Sequence, residues 1–132
     1  MTAKKIPAGA SQHITAGPYS PVLEVVCSKM VVISGQVAVD PQGATIGADI
    51  STQTRAALDN CKRQLATANC TLSDVFKVNI FMKDLSQWDK MNQVYSDYMP
   101  EPRPVRTAVQ AVLMADYLVE IEMWAAKPDD AS

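Results

Sequence analysis

Two segments near the carboxyl end of the chain have the alternating apolar and polar pattern of β-strands. Val105 to Leu113 and Val119 to Ala125 both place mostly apolar or small residues at odd positions. A period of two residues is typical of strands that bury one face. If the two strands form a hairpin with a shared buried face, odd positions must lie opposite odd positions, because a slip of one residue would expose half of the apolar side chains. The polar residues of the pair would then share the other face. These residues are Arg106, Gln110, Glu120 and Glu122.

Such a hairpin would keep the arginine and the first glutamate apart within one chain. With a tight connection, Arg106 would lie opposite Trp124, which leaves Glu120 about 13 Å away along the strand. The two residues could then contact one small ligand only if a neighbouring subunit supplied one of them. An arginine and a glutamate on an open sheet face are also common as ordinary solvated surface, and the spacing alone does not distinguish these interpretations.

Two segments in the middle of the chain have the period of amphipathic helices. From Ser51 to Ala68, apolar or small residues recur at spacings of four and three, with most charges elsewhere. Asp49 or Ser51 can cap the first turn, and Asn69 can adopt a left-handed conformation after the last one. A second helix is predicted from Ser86 to Tyr98. Its stripe contains Trp88, Met91, Tyr95 and Tyr98, with Asn92 beside them.

Short β-branched segments predict the remaining strands. Pro21 to Val26 and Met30 to Ser34 fit an antiparallel pair, and Val75 to Met82 alternates as a further strand. Gly35 is predicted to interrupt the second of these strands, where it permits a bulge or a close backbone approach by a ligand, before a strand resumes at residues 37–39. The order of elements predicts an α+β layout, with one mixed sheet and both helices on one face.

Length and charge limit the classes of protein. At 132 residues the chain is expected to form one domain, residues 1–132, with an N-terminal arm at 1–18 and a C-terminal tail at 127–132. The formal net charge is −2 and the 12 Lys and Arg residues are spread along the chain, so nucleic acid is not indicated as a partner. No apolar run follows the first lysines and no stretch reaches membrane-spanning length, so a cytoplasmic protein is expected.

The cysteines and the histidine restrict the chemistry that is available. Cys27, Cys61 and Cys70 have no metal-like spacing and are predicted to be reduced and mostly buried rather than catalytic. Because His13 is the only histidine, a histidine-based triad or a zinc site built on several histidines is not available.

Short motifs along nearly the whole chain resemble the RidA family, also called YjgF or L-PSP proteins. The motifs are Gly17-Pro18-Tyr19-Ser20, Ser34-Gly35-Gln36, Asp40-Pro41-Gln42-Gly43, Gln53-Thr54-Arg55, Asn60, Val75-Phe76-Lys77, Asn92-Gln93-Val94-Tyr95, Arg106-Thr107-Ala108-Val109 after Pro104, and Val119-Glu120-Ile121-Glu122. Any one motif is weak, but their shared order is specific. The resemblance implies a chorismate-mutase-like fold, with a mixed six-stranded sheet and two helices on one face. It also implies a homotrimer with clefts between subunits.

The resemblance implies hydrolysis of reactive enamines and imines, such as 2-aminoacrylate, to 2-keto acids and ammonia, without a metal or organic cofactor. Arg106 would bind the carboxylate of the small 2-imino acid through two parallel hydrogen bonds. Glu120 would position a water at the imine carbon and move its proton. Tyr19, Ser34, Gly35 and Asn92 match family positions that line the cleft, although ordinary packing is an alternative role for each.

Departures from the family pattern bear on substrate choice more than on reaction type. Val105 replaces a frequent Ala, Ala108 a frequent Cys, and Met114-Ala115 a common Leu-Pro, while Trp124 is bulkier than the usual residue. One alternative function is a specialised deaminase, such as one acting on 2-aminomuconate. Another is a translation inhibitor with ribonuclease activity or a chaperone-like binding protein, although an acidic chain with one histidine argues against RNA as the main ligand.

Overall fold

The computed structural model describes residues 3–14 and 16–129. The parts of the predicted arm and tail at residues 1, 2, 15 and 130–132 lie outside the described residues. The elements are β1 (Lys4–Lys5), β2 (Glu24–Val25), β3 (Met30–Gln36), α1 (Ile50–Ala66), β4 (Val75–Met82), α2 (Trp88–Tyr98), β5 (Val105–Gln110) and β6 (Val119–Ala126). Short 3-10 turns at Leu72–Asp74 and Leu85–Gln87 precede β4 and α2.

The strands form two sheets. The larger sheet is mixed and has the order β3-β6-β4-β5, in which β5 is parallel to β4 and the other pairs are antiparallel. The smaller sheet consists of β1 and β2. Both helices contribute to one core cluster on a single face of the larger sheet. The predicted α+β fold with two helices on one face of a mixed sheet is confirmed. The predicted single sheet of six strands is wrong, because β1 and β2 pair only with each other and form a separate sheet.

The core lies between the helices and alternate residues of the central strands. In β6 the odd positions Val119, Ile121 and Met123 are buried, as the sequence pattern predicts. On α1 the predicted stripe is also buried, and it includes Leu58 and Leu65. The core-facing residues of β3, β4 and α2 include Ile33, Val75, Val78, Ile80, Met82, Met91, Val94 and Tyr95.

The predicted hairpin between β5 and β6 is wrong, because β4 lies between them. Residues 111–118 cross the end of β4, where the Ala111 N–H donates to the Met82 carbonyl and the Lys83 N–H to the Leu118 carbonyl. Alternation of apolar and polar residues indicates that a strand has one buried and one exposed face, but it does not indicate which strand lies next to it. A crossing connection was therefore not visible in the pattern.

The insertion of β4 changes which side chains share a face. Arg106 lies opposite Val78, which in turn lies opposite Met123, so Arg106 points toward the helices. Glu120 lies opposite Phe81 and points to the open face of the sheet. The predicted common face for Arg106, Gln110, Glu120 and Glu122 is therefore wrong, because the arginine and Gln110 lie on the helix-covered side.

The amino-terminal strands also pair differently from the prediction. Of the segment from Pro21 to Val26, only Glu24–Val25 is a strand, and it pairs with Lys4–Lys5 rather than with β3. Strand β3 pairs with β6 and continues through Gly35 to Gln36, with an irregular register between Ile33 and Gln36. The predicted strand at 37–39 is reduced to an isolated bridge between Val39 and Thr45. Because β6 offers β3 a long partner, the glycine distorts the strand without ending it.

The helix predictions are close to the structure. Asp49 caps α1 by accepting a hydrogen bond from the Thr52 N–H at 2.8 Å, and Asn69 has a φ of 60° after the helix. The second helix begins as a 3-10 turn and becomes α-helical at Trp88. No helix within residues 3–14 and 16–129 is long and apolar enough to cross a membrane. Cys61 and Cys70 are buried as predicted, whereas Cys27 is exposed.

A buried lysine attaches β1 to the rest of the fold. The Lys4 amino group donates to the Val75 carbonyl at 2.8 Å and to the Pro102 carbonyl at 2.9 Å. Only 6% of this residue is exposed. Burial lowers the pKa of the Lys4 amino group, and the nearby Asp74 carboxylate opposes that shift. The lysine thereby connects the amino-terminal strand to the start of β4 and to the proline-rich loop before β5.

We expect Lys4→Ala to lower the free energy of unfolding by about 1.5 to 3 kcal/mol, because two carbonyls lose a charged donor. Lys5→Ala is the matched control, since Lys5 is adjacent and exposed, and it should change stability by less than about 0.5 kcal/mol. Urea denaturation of both variants measures the difference. Equal effects would show that the two hydrogen bonds of Lys4 contribute nothing specific.

Candidate functional site

The guanidinium of Arg106 lies among three aromatic rings. Its central carbon is 4.8 Å from the ring centre of Tyr95, 4.9 Å from Trp88 and 5.0 Å from Tyr19. Strand β5 directs this side chain toward α2, which provides the tryptophan and Tyr95. Ring faces attract cations, so the surroundings stabilise a charge that burial would otherwise disfavour. We call this group, together with Asn92, the arginine cluster.

Hydrogen bonding divides the guanidinium into an occupied end and a free edge. Nη1 of Arg106 donates to Oδ1 of Asn92 at 2.7 Å. Nε and Nη2 are buried, and neither has a hydrogen-bond partner among the described residues. Those two N–H groups point the same way along one edge of the planar group, which is an arrangement that matches the two oxygens of a carboxylate. An unpaired edge of this kind is unusual in a buried cation.

Electrostatics agree with this geometry. Burial lowers the pKa of Arg106, and the neighbouring Tyr95 and Tyr19 oppose that shift. Burial also raises the pKa of the Tyr95 hydroxyl, against the influence of Arg106 and Arg103. An arginine remains protonated in such surroundings because its reference pKa is very high. The cluster is therefore a partly desolvated cation, and an anionic ligand would be favoured there.

A glycine allows the amino-terminal segment to lie against the arginine cluster. A Cβ on Gly17 would lie 3.0 Å from Nη2 of Arg106 and 3.3 Å from Nδ2 of Asn92. The following residues are attached to the chain just before β5, since the Ser20 N–H donates to the Pro104 carbonyl and its hydroxyl to the Arg103 carbonyl. These bonds hold Tyr19 beside the guanidinium.

Glu120 belongs to a second group of predicted site residues, on the open face of the sheet. A Cβ on Gly35 would lie 2.3 Å from Oε2 of Glu120, so the carboxylate rests directly against the glycine backbone. Ser34 is adjacent, and its carbonyl accepts a hydrogen bond from the Gln36 side chain at 3.1 Å. We call Ser34, Gly35 and Glu120 the glutamate cluster. Gly35 leaves room for this carboxylate because it has no side chain. The irregular register from Ile33 to Gln36 agrees with the predicted bulge, whereas the close approach is made by Glu120 and that of a ligand stays a prediction.

The structure brings Tyr19 and Asn92 to Arg106, and Gly35 to Glu120, with Ser34 next to Gly35 in the chain, but it does not bring the two clusters together. Arg106 and Glu120 point to opposite faces of the sheet, and β4 separates their strands. Two strand spacings are about 10 Å, and the register adds a further offset of roughly 10 Å along the strands. One chain therefore does not place both side chains around one small molecule.

Two polar side chains of α1 hold the strand ends that carry the glutamate cluster. The Gln53 amide accepts from the Leu118 N–H at 2.8 Å and donates to the Asp116 carbonyl at 3.2 Å, which fixes the entry to β6. The Asn60 amide donates to the carbonyls of Val37 and Val39, at 2.8 and 3.0 Å, which fixes the chain after Gly35. Both residues belong to family-like motifs in the sequence, although no role was predicted for them.

Sequence reasoning also missed Trp88 and Tyr95 as members of the arginine cluster. Their spacing on the helix predicted only a buried stripe. Asn92 lies between them at helical intervals, so the three side chains share one side of α2. A polar amide within an aromatic stripe was the available signal that this side of the helix meets a polar group.

Comparisons with known proteins identify similar chains. A sequence profile described as "Endoribonuclease L-PSP" matches residues 10–127. A RutC family protein of Pyrococcus abyssi is 40% identical over 113 residues, which cover 84% of this chain and 87% of the relative. The 2-iminobutanoate/2-iminopropanoate deaminase of Salmonella typhimurium is 35% identical over 115 residues, covering 84% of this chain and 88% of that enzyme.

Solved structures show the same fold. The crystal structure of the YjgF gene product of Escherichia coli superposes with a TM-score of 0.69 at 31% sequence identity. The match covers 79% of this chain and 85% of that chain. The fold predicted from the sequence motifs is thus also observed in an experimental structure of a similar protein.

We expect Gly35→Ala to displace the Glu120 carboxylate with little loss of stability. The new methyl group would meet the Oε2, Cδ and Cγ atoms of Glu120, so the whole side chain must change rotamer, at a cost of about 0.5 to 1.5 kcal/mol. A crystal structure and urea denaturation of the variant test both statements, with Ser34→Ala as the adjacent control. A carboxylate that stays in place while the backbone moves would contradict the expected result.

Proposed function

This chain belongs to the Endoribonuclease L-PSP family, whose members are also called YjgF or RidA proteins, and we propose that it hydrolyses reactive 2-imino and enamino acids to 2-keto acids and ammonia. The observation that carries the proposal is the buried Nε and Nη2 edge of Arg106, which has no hydrogen-bond partner in the part of the chain that the structure describes. The deaminase name of the Salmonella relative supports the same reaction class.

Arg106 would bind the substrate carboxylate. A small 2-imino acid has a planar carboxylate next to the reacting carbon, and the free guanidinium edge offers two parallel N–H donors to it. Asn92 would keep the opposite end of the guanidinium occupied. Binding at one fixed edge would set the direction in which the imine carbon points, which is the positioning that hydrolysis requires.

Glu120 would act on water. An oxygen of water bonds to the imine carbon while the carboxylate accepts a proton, and the same proton is returned to the nitrogen. The resulting carbinolamine transfers its hydroxyl proton to the nitrogen as the C–N bond breaks, which releases ammonia and leaves the 2-keto acid. An enamine such as 2-aminoacrylate enters the sequence after tautomerising to its imine. These proton transfers do not require a metal or an organic cofactor.

A homotrimer with clefts between subunits would unite the two clusters. The open face of the larger sheet exposes apolar side chains, with Met30 55%, Val32 56% and Val109 42% exposed. Met30 and Val32 lie on one edge strand of this face and Val109 on the other. Exposed apolar side chains of this kind are suited to contact with another subunit. The glutamate cluster points to this face, so a neighbouring chain could bring its arginine cluster to it.

The departures from the family pattern allow a narrower substrate range. Trp124 lies on the open face, opposite Val32 and Lys77, and the Lys77 amino group is 5.4 Å from its ring centre. Ala108 lies two residues beyond Arg106 and packs against the core. A specialised deaminase, such as one acting on 2-aminomuconate, is the second candidate. Initial rates on freshly generated 2-imino acids of increasing size, and on 2-aminomuconate, distinguish a general imine deaminase from a specialised one.

A ribonuclease or chaperone-like function has less support from the residues described. The family description contains the word endoribonuclease. However, the single histidine lies in the exposed amino-terminal segment, and Arg106 is buried among aromatic rings rather than on a basic surface. Both features differ from the basic, accessible surface that binds RNA.

We expect Arg106→Lys and Glu120→Gln to fail in different ways. Lysine keeps the charge but loses the paired donors, so the affinity for the carboxylate should fall by about 1.5 to 3 kcal/mol and KM should rise. Glutamine is nearly isosteric with glutamate but cannot accept the proton, so kcat should fall roughly 100-fold or more while pyruvate still binds. Assays on 2-iminopropionate and titrations with pyruvate measure both effects.

Two further variants define the controls. Glu122→Gln changes the next outward-facing carboxylate of β6 and should keep kcat close to that of the wild type. Arg106→Ala should abolish measurable pyruvate binding. Wild-type turnover in Glu120→Gln would make that residue an ordinary surface carboxylate, and unchanged pyruvate binding in Arg106→Ala would remove the proposed anchor.

We expect sedimentation equilibrium at micromolar concentration to give a mass near three times the 14.3 kDa of one chain. The apolar open face provides the physical reason, since its burial releases about 25 cal/mol for each Å² removed from water. Val32→Asp, which charges that face, should shift the mass toward a single chain. A wild-type mass near one subunit would contradict the shared cleft.

A further inference from the structure

The rings of Trp88 and Tyr95 have no role in the proposed reaction beyond packing. Both lie on α2, with Asn92 between them, and all three face Arg106. The tryptophan is half-buried, whereas Tyr95 is fully buried and its hydroxyl has no hydrogen-bond partner among the described residues. The helix thus presents a ring, an amide and a second ring to one guanidinium.

We propose that Trp88 and Tyr95 are positioning residues for carboxylate recognition, which fix the plane of the Arg106 guanidinium so that its Nε and Nη2 edge alone meets the ligand. The inference rests on the proposed function of Arg106 as the carboxylate anchor and specifies what makes that anchor selective. Neither ring touches the reacting atoms in this scheme, and each acts through the arginine.

The contacts around Arg106 leave few other orientations. Three ring faces lie within 5.0 Å of its central carbon, and Asn92 holds Nη1 at 2.7 Å. Arginine has several rotatable bonds, and each rotamer that is fixed before binding reduces the entropy lost when a ligand arrives. The rings also place the cation in surroundings of low polarity, where a charge-assisted hydrogen bond is stronger than in water.

This arrangement separates binding from proton transfer. Glu120 lies on the face of the sheet opposite to the one that α2 covers. Loss of a ring should therefore weaken carboxylate binding and raise KM, with a much smaller effect on kcat at saturating substrate. A change that merely lowered the amount of folded protein would instead lower the apparent kcat and leave KM unchanged.

The experiment compares substitutions that remove a ring with ones that retain it. Trp88→Leu should weaken pyruvate binding about tenfold, equivalent to about 1.4 kcal/mol, and raise KM for 2-iminopropionate by a similar factor, with kcat within threefold. Trp88→Phe should recover most of the affinity because it keeps a ring face. Tyr95→Leu and Tyr95→Phe form a second pair, in which phenylalanine removes only a hydroxyl that has no partner within residues 3–14 and 16–129.

Tyr98→Leu is the matched control on the same helix. Its hydroxyl donates to Asp59 at 2.9 Å, and its ring faces Lys62 rather than Arg106. This variant should keep wild-type KM and pyruvate affinity. Calorimetric titration with pyruvate and steady-state kinetics are measured on every variant, with urea denaturation to establish that each is folded.

The outcomes distinguish this inference from the proposed function. If folded Trp88→Leu binds pyruvate as tightly as the wild type, or if the phenylalanine variants lose as much affinity as the leucine variants, the rings do not position the arginine. If Arg106→Ala also binds pyruvate normally, the proposed anchor fails as well. Tyr95 is fully buried, so its leucine variant could unfold, but the half-buried Trp88 pair decides the question alone.

Discussion

The position of β4 between β5 and β6 determines the faces on which Arg106 and Glu120 lie. Strand β4 pairs in parallel with β5 and in antiparallel fashion with β6, so both registers are set by one strand. Val78 aligns with Arg106 on one side, and Phe81 aligns with Glu120 on the other. Since adjacent residues of a strand point to opposite faces, these two alignments place the cation under the helices and the carboxylate on the open side.

Much of the fold could be predicted from local sequence. The helix limits, the Asp49 cap and the buried odd positions of β6 follow from patterns that depend on near neighbours in the chain. Strand β5 could not be oriented in the same way, because it is an edge strand with residues partly exposed on both faces. A crossing connection places β5 beside β4 rather than beside β6. The alternation of apolar and polar residues within β5 does not depend on which strand is its neighbour, so it could not predict this pairing.

The predicted site residues were grouped correctly only in part. Tyr19, Asn92 and Arg106 lie together, and so do Gly35 and Glu120, as motifs shared with a family would suggest. Their roles in catalysis remain predictions. What the sequence did not indicate is that the arginine is enclosed by the aromatic side of α2. Apolar stripes on helices are usually core, and nothing in the spacing distinguishes a ring that packs on aliphatic groups from one that packs on a cation.

The separation of the two clusters has a consequence for how such a protein responds to dilution. If an active cleft forms only where two chains meet, an isolated chain carries both clusters but has no complete cleft, and activity per chain is not a constant of the molecule. It would follow the law of mass action, rising with concentration until assembly is complete. A cell could then lose turnover through low expression alone, well before any chain unfolded. Abundance would regulate the reaction as directly as a change in sequence.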